Sequence, residues 1–162
     1  MKITDYAPRA APFDSYLKGR DLVGVEVGVD VGAHAEALLA YCPVAMLNLV
    51  DPWPNPYCRG YCEGRLARFR PRFTMNRADS HNAARSFSAA SLDFVYVDQE
   101  HDAEAVASDL AAWFPLLKRG GMLGYRNYTA RATPLDRAID AFVKANRLEA
   151  SVADNEIVVV KP

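Results

Sequence analysis

The segment from Leu22 to Tyr41 constrains the fold most. It opens with an apolar, β-rich run, Leu22–Val27, passes through Gly28 and Gly32, and resumes as an alanine- and leucine-rich helix, Ala33–Tyr41, stopped by Pro43. A strand, a glycine turn and a helix in direct succession open a βαβ unit, and such units build parallel sheets. The chain then repeats the alternation. Predicted strands are Met46–Val50, Phe73–Arg77, Leu92–Val97 and Met122–Tyr125, and predicted helices are Tyr57–Arg70, Ser80–Phe87, Ala103–Leu117 and Leu135–Asn146. Leu92–Val97 is apolar at nearly every position, as a strand buried on both faces requires. Lys118-Arg119-Gly120-Gly121 reads as the end of the long helix, cations at its negative terminus followed by glycine. A short helix over residues 10–19 covers one edge. Two last strands, Glu149–Val152 and Ile157–Val160, meet at Asp154-Asn155 as a hairpin. The expected fold is α/β: a Rossmann-like, doubly wound, mostly parallel seven-stranded sheet with a C-terminal antiparallel hairpin, in three αβα layers. Residues 1–162 are expected to form one domain.

Bulk properties narrow the function. A chain of 162 residues with a formal net charge of -1 gives no global sign of nucleic acid or membrane lipid as a partner. No stretch approaches the roughly 20 apolar residues that span a bilayer, and the first residues lack the apolar core of a signal peptide. The three cysteines, Cys42, Cys58 and Cys62, follow no disulfide scaffold, so the expectation is a reduced, cytoplasmic protein. Cys58 and Cys62 share a helix face; without further ligands in sight they read as packing thiols rather than a metal pair. Arg59, Arg65, Arg68, Arg70, Arg72 and Arg77 make one segment locally basic, and a solvated helix face is the expected use. Tyr57 and Tyr61 share a face of that helix and are candidates for a substrate mouth.

Ligands of doubly wound sheets sit at the carboxyl ends of the strands. Here the first turn reads Glu26-x-Gly28-x-x-x-Gly32, with a second acid at Asp30. A dinucleotide site would carry G-x-G-x-x-G and place a pyrophosphate on the helix N-terminus. The third glycine is missing, and two carboxylates would repel a pyrophosphate but attract a cation. An NAD(P)-dependent oxidoreductase is thereby disfavoured. Asp51 closes the second strand, where an acid can accept both hydroxyls of a ribose; a turn-forming Asp before Pro52 is the alternative. Trp53 either covers a nucleoside face or anchors the loop. Asp79 and Ser80 either meet an adenine edge or cap the next helix. His34 falls in the first helical turn, where a surface position is expected and a ligand contact is the alternative. His81 is expected to face solvent.

Taken together, these segments resemble the class I S-adenosylmethionine-dependent methyltransferases, and most closely the methyltransferase family 24 type. The resemblance rests on Glu26-Val-Gly-Val-Asp-Val-Gly32, Val50-Asp-Pro-Trp53, Ala78-Asp-Ser80, the run from Leu92 through Asp98-Gln99-Glu100-His101, and Leu117-Lys-Arg-Gly-Gly-Met-Leu-Gly124. It implies S-adenosylmethionine as cofactor, with Glu26 and Gly28 near the methionine part, Asp51 on the ribose, and Asp79 with Ser80 near the adenine. It also implies a small-molecule methyl acceptor. In the similar family the position of Asp98 often binds a divalent metal such as Mg²⁺, with two acids after the fifth strand. This chain carries Arg126 and Asn127 there, so Arg126 is expected to pair with Asp98 or bind an anionic group, and no metal ligands are assigned. Asp98, Glu100 and His101 are the candidate catalytic residues, with Glu100 or His101 as general base toward a hydroxyl. His101 as a helix cap is the structural alternative. Loss of the metal ligands leaves a second reading open: a non-catalytic S-adenosylmethionine-binding protein. A homo-oligomer could complete so small a substrate pocket.

Overall fold

The computed structural model describes residues 12–99 and 102–162. Seven strands form one sheet: β1 (Leu22–Val27), β2 (Val44–Asp51), β3 (Phe73–Arg77), β4 (Leu92–Val97), β5 (Leu117–Arg126), β6 (Ala150–Ala153) and β7 (Glu156–Val160). Their spatial order is β3-β2-β1-β4-β5-β7-β6. The first five run parallel, and β7 lies antiparallel between β5 and β6. Order reverses between β1 and β4, which creates the crevice where open α/β sheets bind ligands. The fold is thus the Rossmann-like one expected.

Period-two alternation sorts the sheet into two cores. Val25, Val27, Val95 and Val97 point to one side, where α4 (Ala103–Trp113) and α5 (Pro134–Ala145) supply Val106, Leu110, Trp113 and Ile139. Phe94 and Tyr96 point to the other, where α1 (Ala33–Tyr41) and α2 (Pro56–Leu66) supply Ala35, Leu38, Leu39, Cys62 and Leu66. Glu26 is paired with Tyr96 in register, so its carboxylate faces the α1 side. α1 is buried from Ala33 through Leu39. The short α3 (Ser80–Ala84) follows β3.

Three differences from the sequence expectation have clear causes. The helix before β5 ends early: α4 stops at Trp113, and Phe114–Leu116 makes a 3₁₀ turn around Pro115. Lys118-Arg119-Gly120-Gly121 does not terminate that helix. It lies inside β5 as a bulge, with Gly120 at φ 76° and the β4 register shifting between Leu92 and Phe94. Lys118 is drawn in by Asp93, 2.7 Å away. The edge segment is the 3₁₀ turn Pro12–Tyr16, whose Phe13 is fully buried, and the first residues of the predicted 10–19 helix lie outside the described residues. At the other end, Asp154 and Asn155 both take positive φ, as a two-residue hairpin turn demands.

The basic segment is largely solvent-exposed, as expected, and several of its arginines also pair within the chain. Arg65 and Arg68 both bind Glu36, at 2.8 and 2.9 Å, Arg70 pairs with Glu63, and Arg72 donates to the Val44 carbonyl. Tyr57 and Tyr61 are exposed, as is His81.

Candidate cofactor-binding site

A cavity of about 560 Å³ opens at the carboxyl ends of β1, β2, β4 and β5. That volume lies within the roughly 300–1,000 Å³ of small-molecule sites. Its walls carry Glu26, Asp30, Asp51 and Asp98 against two basic side chains, His34 and Arg126.

Backbone geometry makes the cavity floor. Gly28 adopts φ 85°, and its N–H donates to the Val50 carbonyl at 2.9 Å. A Cβ on Gly28 would strike the Asp98 carbonyl, so only glycine lets the two strand ends approach this closely. Gly32 takes φ 76° and caps α1; it packs on Cys62 rather than lining the cavity.

Asp51 holds the turn in place. Its Oδ2 accepts from the N–H groups of Val29 and Asp30, each at 2.9 Å, and its Oδ1 accepts from the Trp53 N–H. The carboxylate therefore satisfies three backbone donors and still lines the cavity. Trp53 is buried, and its indole N–H donates to the Asp30 carbonyl at 2.9 Å. Of the two uses considered for Trp53, the structure displays the loop anchor.

Asp79 and Ser80 lie away from the cavity lining. Asp79 caps α3, accepting from the Asn82 N–H and its side-chain amide, and these bonds lower its pKa. Ser80 is buried: its hydroxyl donates to Asp109 and accepts from the Trp113 indole at 2.8 Å. Both side chains thus act in the helical layer.

His34 corrects the sequence expectation most sharply. It is only 5% exposed, not at the surface. Its Nε2 is 2.9 Å from Asp14 Oδ1, and its Nδ1 is 3.5 Å from Glu26 Oε1. Burial opposes charge on the ring, but the two carboxylates outweigh it and raise the pKa to about 10. Glu26 is 1% exposed, and burial raises its pKa although His34 pulls it down. Glu26 Oε2 has no hydrogen-bond partner among the described residues.

At the far wall Arg126 Nη1 meets Asp98 Oδ2 at 2.6 Å. The β4–β5 alignment places the two strand ends side by side. The described residues contain no cluster of three acids, histidines or cysteines that could hold a metal ion. A guanidinium on the one remaining family-like carboxylate is also the wrong charge for a metal ligand. The Mg²⁺ site implied by the resemblance therefore does not fit this set of residues. Glu100 and His101 lie outside the described residues.

S-adenosylmethionine does fit the site. An unpartnered buried carboxylate oxygen and a cluster of acids suit a cationic ligand. A glycine-lined floor lets a ligand approach the backbone.

Comparison with known proteins agrees with this geometry. Residues 25–128 match the family described as "Methyltransferase domain". Among curated proteins, none matches the sequence. Solved structures with a similar fold include a protein assigned as a caffeoyl-CoA O-methyltransferase from Staphylococcus aureus. It has TM-score 0.75 and 11% identity, over 98% of this chain and 88% of that one. Precorrin-6y C5,15-methyltransferase from Geobacter metallireducens is also similar, with TM-score 0.71 and 16% identity over 91% and 84% of the two chains. Spermidine synthase from Thermotoga maritima shares the fold at TM-score 0.65 and 16% identity, covering 94% of this chain but 58% of its own. At such identities these likenesses show the fold alone.

Proposed function

Because this chain belongs to the methyltransferase-domain family, the class I S-adenosylmethionine-dependent methyltransferases, we infer that it methylates a small-molecule acceptor at a hydroxyl oxygen. The observation that carries the reading is the acid-rich cavity, with the buried Glu26 Oε2 on its wall lacking a hydrogen-bond partner among the described residues. Bound S-adenosylmethionine supplies an electrophilic methyl group on a sulfonium. The chain's part is to bind and orient. Glu26 accepts from the cationic end of the cofactor, Gly28 gives it room, and Asp30 adds negative potential. Asp51 offers ribose hydroxyls its remaining lone pairs, already held in place by three backbone donors. Asp98 lies toward the acceptor, restrained by Arg126. Glu100 or His101, just beyond β4, would take the hydroxyl proton, and orientation supplies most of the rate.

Oxygen as the acceptor atom rests on the candidate bases Glu100 and His101 that follow β4 in sequence. No helix among the described residues is long and apolar enough to cross a membrane; a cytoplasmic setting is part of the proposal. A second copy of the chain could finish the acceptor side. The test is transfer of a labelled methyl group to a panel of hydroxyl and amine acceptors. Turnover that is lost in Glu100→Gln or His101→Ala supports the reading. The Arg126–Asp98 pair favours a second reading, a cofactor-binding protein without turnover. Cofactor binding without transfer to any acceptor, and a cellular role untouched by both substitutions, would select it.

A further inference from the structure

The mechanism above uses Glu26 but leaves its buried neighbours without a task. Three ionisable side chains run in line beneath the cavity: Asp14 from the Pro12–Tyr16 turn, His34 from α1 and Glu26 from β1. The His34 ring packs on Tyr96, with ring centroids 4.3 Å apart. The Tyr96 hydroxyl donates to Glu156 of β7, and Glu156 also accepts from the Phe13 N–H at 3.0 Å. The turn is therefore fastened twice, once by Phe13 and once by Asp14. Taking these groups out of water is costly, and hydrophobic packing alone would not require them.

We propose that His34 is a positioning residue: pinned by Asp14, it holds the Glu26 carboxylate ionised and turned so that Oε2 meets an ammonium group of the cavity's ligand. This rests on the cofactor reading given above. The physical case is one of alternatives. A carboxyl group 1% exposed and without a cation beside it favours its neutral form. A neutral Glu26 would no longer attract a cation. His34 is the cation beside it, and Asp14 fixes the ring on the opposite nitrogen, so Nδ1 faces Glu26 at 3.5 Å in an ionic contact rather than a hydrogen bond. The groups facing His34 are Asp14, Glu26 and Tyr96; Glu26 feels Asp51 as well. Both carboxylates beside the ring favour its charge, and the charged ring in turn opposes the rise that burial imposes on the Glu26 pKa.

The test has a ligand-free half and a ligand half. In the unliganded protein, NMR titration of His34 should give a midpoint near pH 10 that falls in both Asp14→Asn and Glu26→Gln. With S-adenosylhomocysteine, wild-type affinity should be flat between about pH 6 and 8.5. His34→Gln, checked for folding by thermal denaturation, should bind at least about tenfold more weakly at the acid end. It should recover as pH rises and the unpaired Glu26 ionises. Asp14→Asn should show the same trend more weakly. Wild-type-like binding in His34→Gln, or a loss equal at every pH in both variants, would overturn the proposal. So would a wild-type His34 midpoint in the ordinary histidine range. If wild type binds no S-adenosylhomocysteine at any pH, the cofactor reading fails, while the NMR titration still decides whether the ion-pair chain exists.

Discussion

The two walls of the cavity hold carboxylates in different ways. On the β1–β2 wall, Asp51 is fastened by three backbone N–H groups of its own turn. On the β4–β5 wall, Asp98 is held by the Arg126 side chain. A carboxylate held by backbone donors is fixed by the path of the chain and is bound up with folding. One paired with a half-buried guanidinium includes a side-chain contact that can be exchanged with little effect on the fold. The first wall should therefore be intolerant of change and the second permissive.

The severest test of that contrast is Gly28→Ala. The added methyl would meet the Asp98 carbonyl at a positive φ. A loss of about 3 kcal/mol or more is expected, with S-adenosylhomocysteine binding abolished. A thermal melt and a titration of the purified variant check both.

Asp51→Ala comes next. It strands three donors, two of them on the turn that precedes α1. Unfolding in urea should show a loss of about 3 kcal/mol. A midpoint close to wild type would mean that the turn holds itself together and that the contrast between the walls is false.

The permissive wall has its own backbone-held acid further along. Asp136 is fully buried in α5 and accepts from Thr129, Arg131 and Thr133, which shapes the loop beyond Asn127. Burial opposes its charge, but the bonds from Thr129 and Thr133 prevail and lower its pKa from 3.8 to about 2. A depressed folded pKa stabilises the protein above the unfolded value and loses that contribution as pH falls. About 2 kcal/mol should therefore vanish between about pH 4 and pH 2. The fall should be shallower in Asp136→Asn, which starts less stable at neutral pH.

The smallest effect on stability is expected at Arg126. Arg126→Ala should change it by less than about 1 kcal/mol. Pairing Arg126→Asp with Asn127→Asp should create a set of acids around Asp98, so that Mg²⁺ raises the melting temperature of the double variant and not of wild type. If wild type is stabilised as strongly, Arg126 does not displace a metal from Asp98.

The same contrast explains what could be read from the sequence. The succession of strands, the glycine turn and the closing hairpin are legible because backbone needs leave local signatures: Gly28, Asp51 before Pro52, and Asp154-Asn155. The bulge in β5 is hidden in the sequence because Lys118-Arg119-Gly120-Gly121 also satisfies the rules for a helix end, while Pro115 is what ends the helix. His34 was misplaced because a histidine in a first helical turn usually faces water. The available signal lies in α1 itself, where alanines and leucines recur on every side and Ala33 through Leu39 are buried. Partners such as Asp14 and Asp109 sit far from His34 and Ser80 in sequence, and only the fold brings them together.

The central claim is that the acid-lined cavity takes an adenosyl amino acid, whose ammonium Glu26 receives, rather than a dinucleotide. Calorimetric titration of the wild-type protein with S-adenosylhomocysteine and, separately, with NADH tests it most directly. Saturable one-to-one binding of S-adenosylhomocysteine, weakened in Glu26→Gln, with no heat from NADH is the result expected. Saturable NADH binding with none for S-adenosylhomocysteine would contradict it.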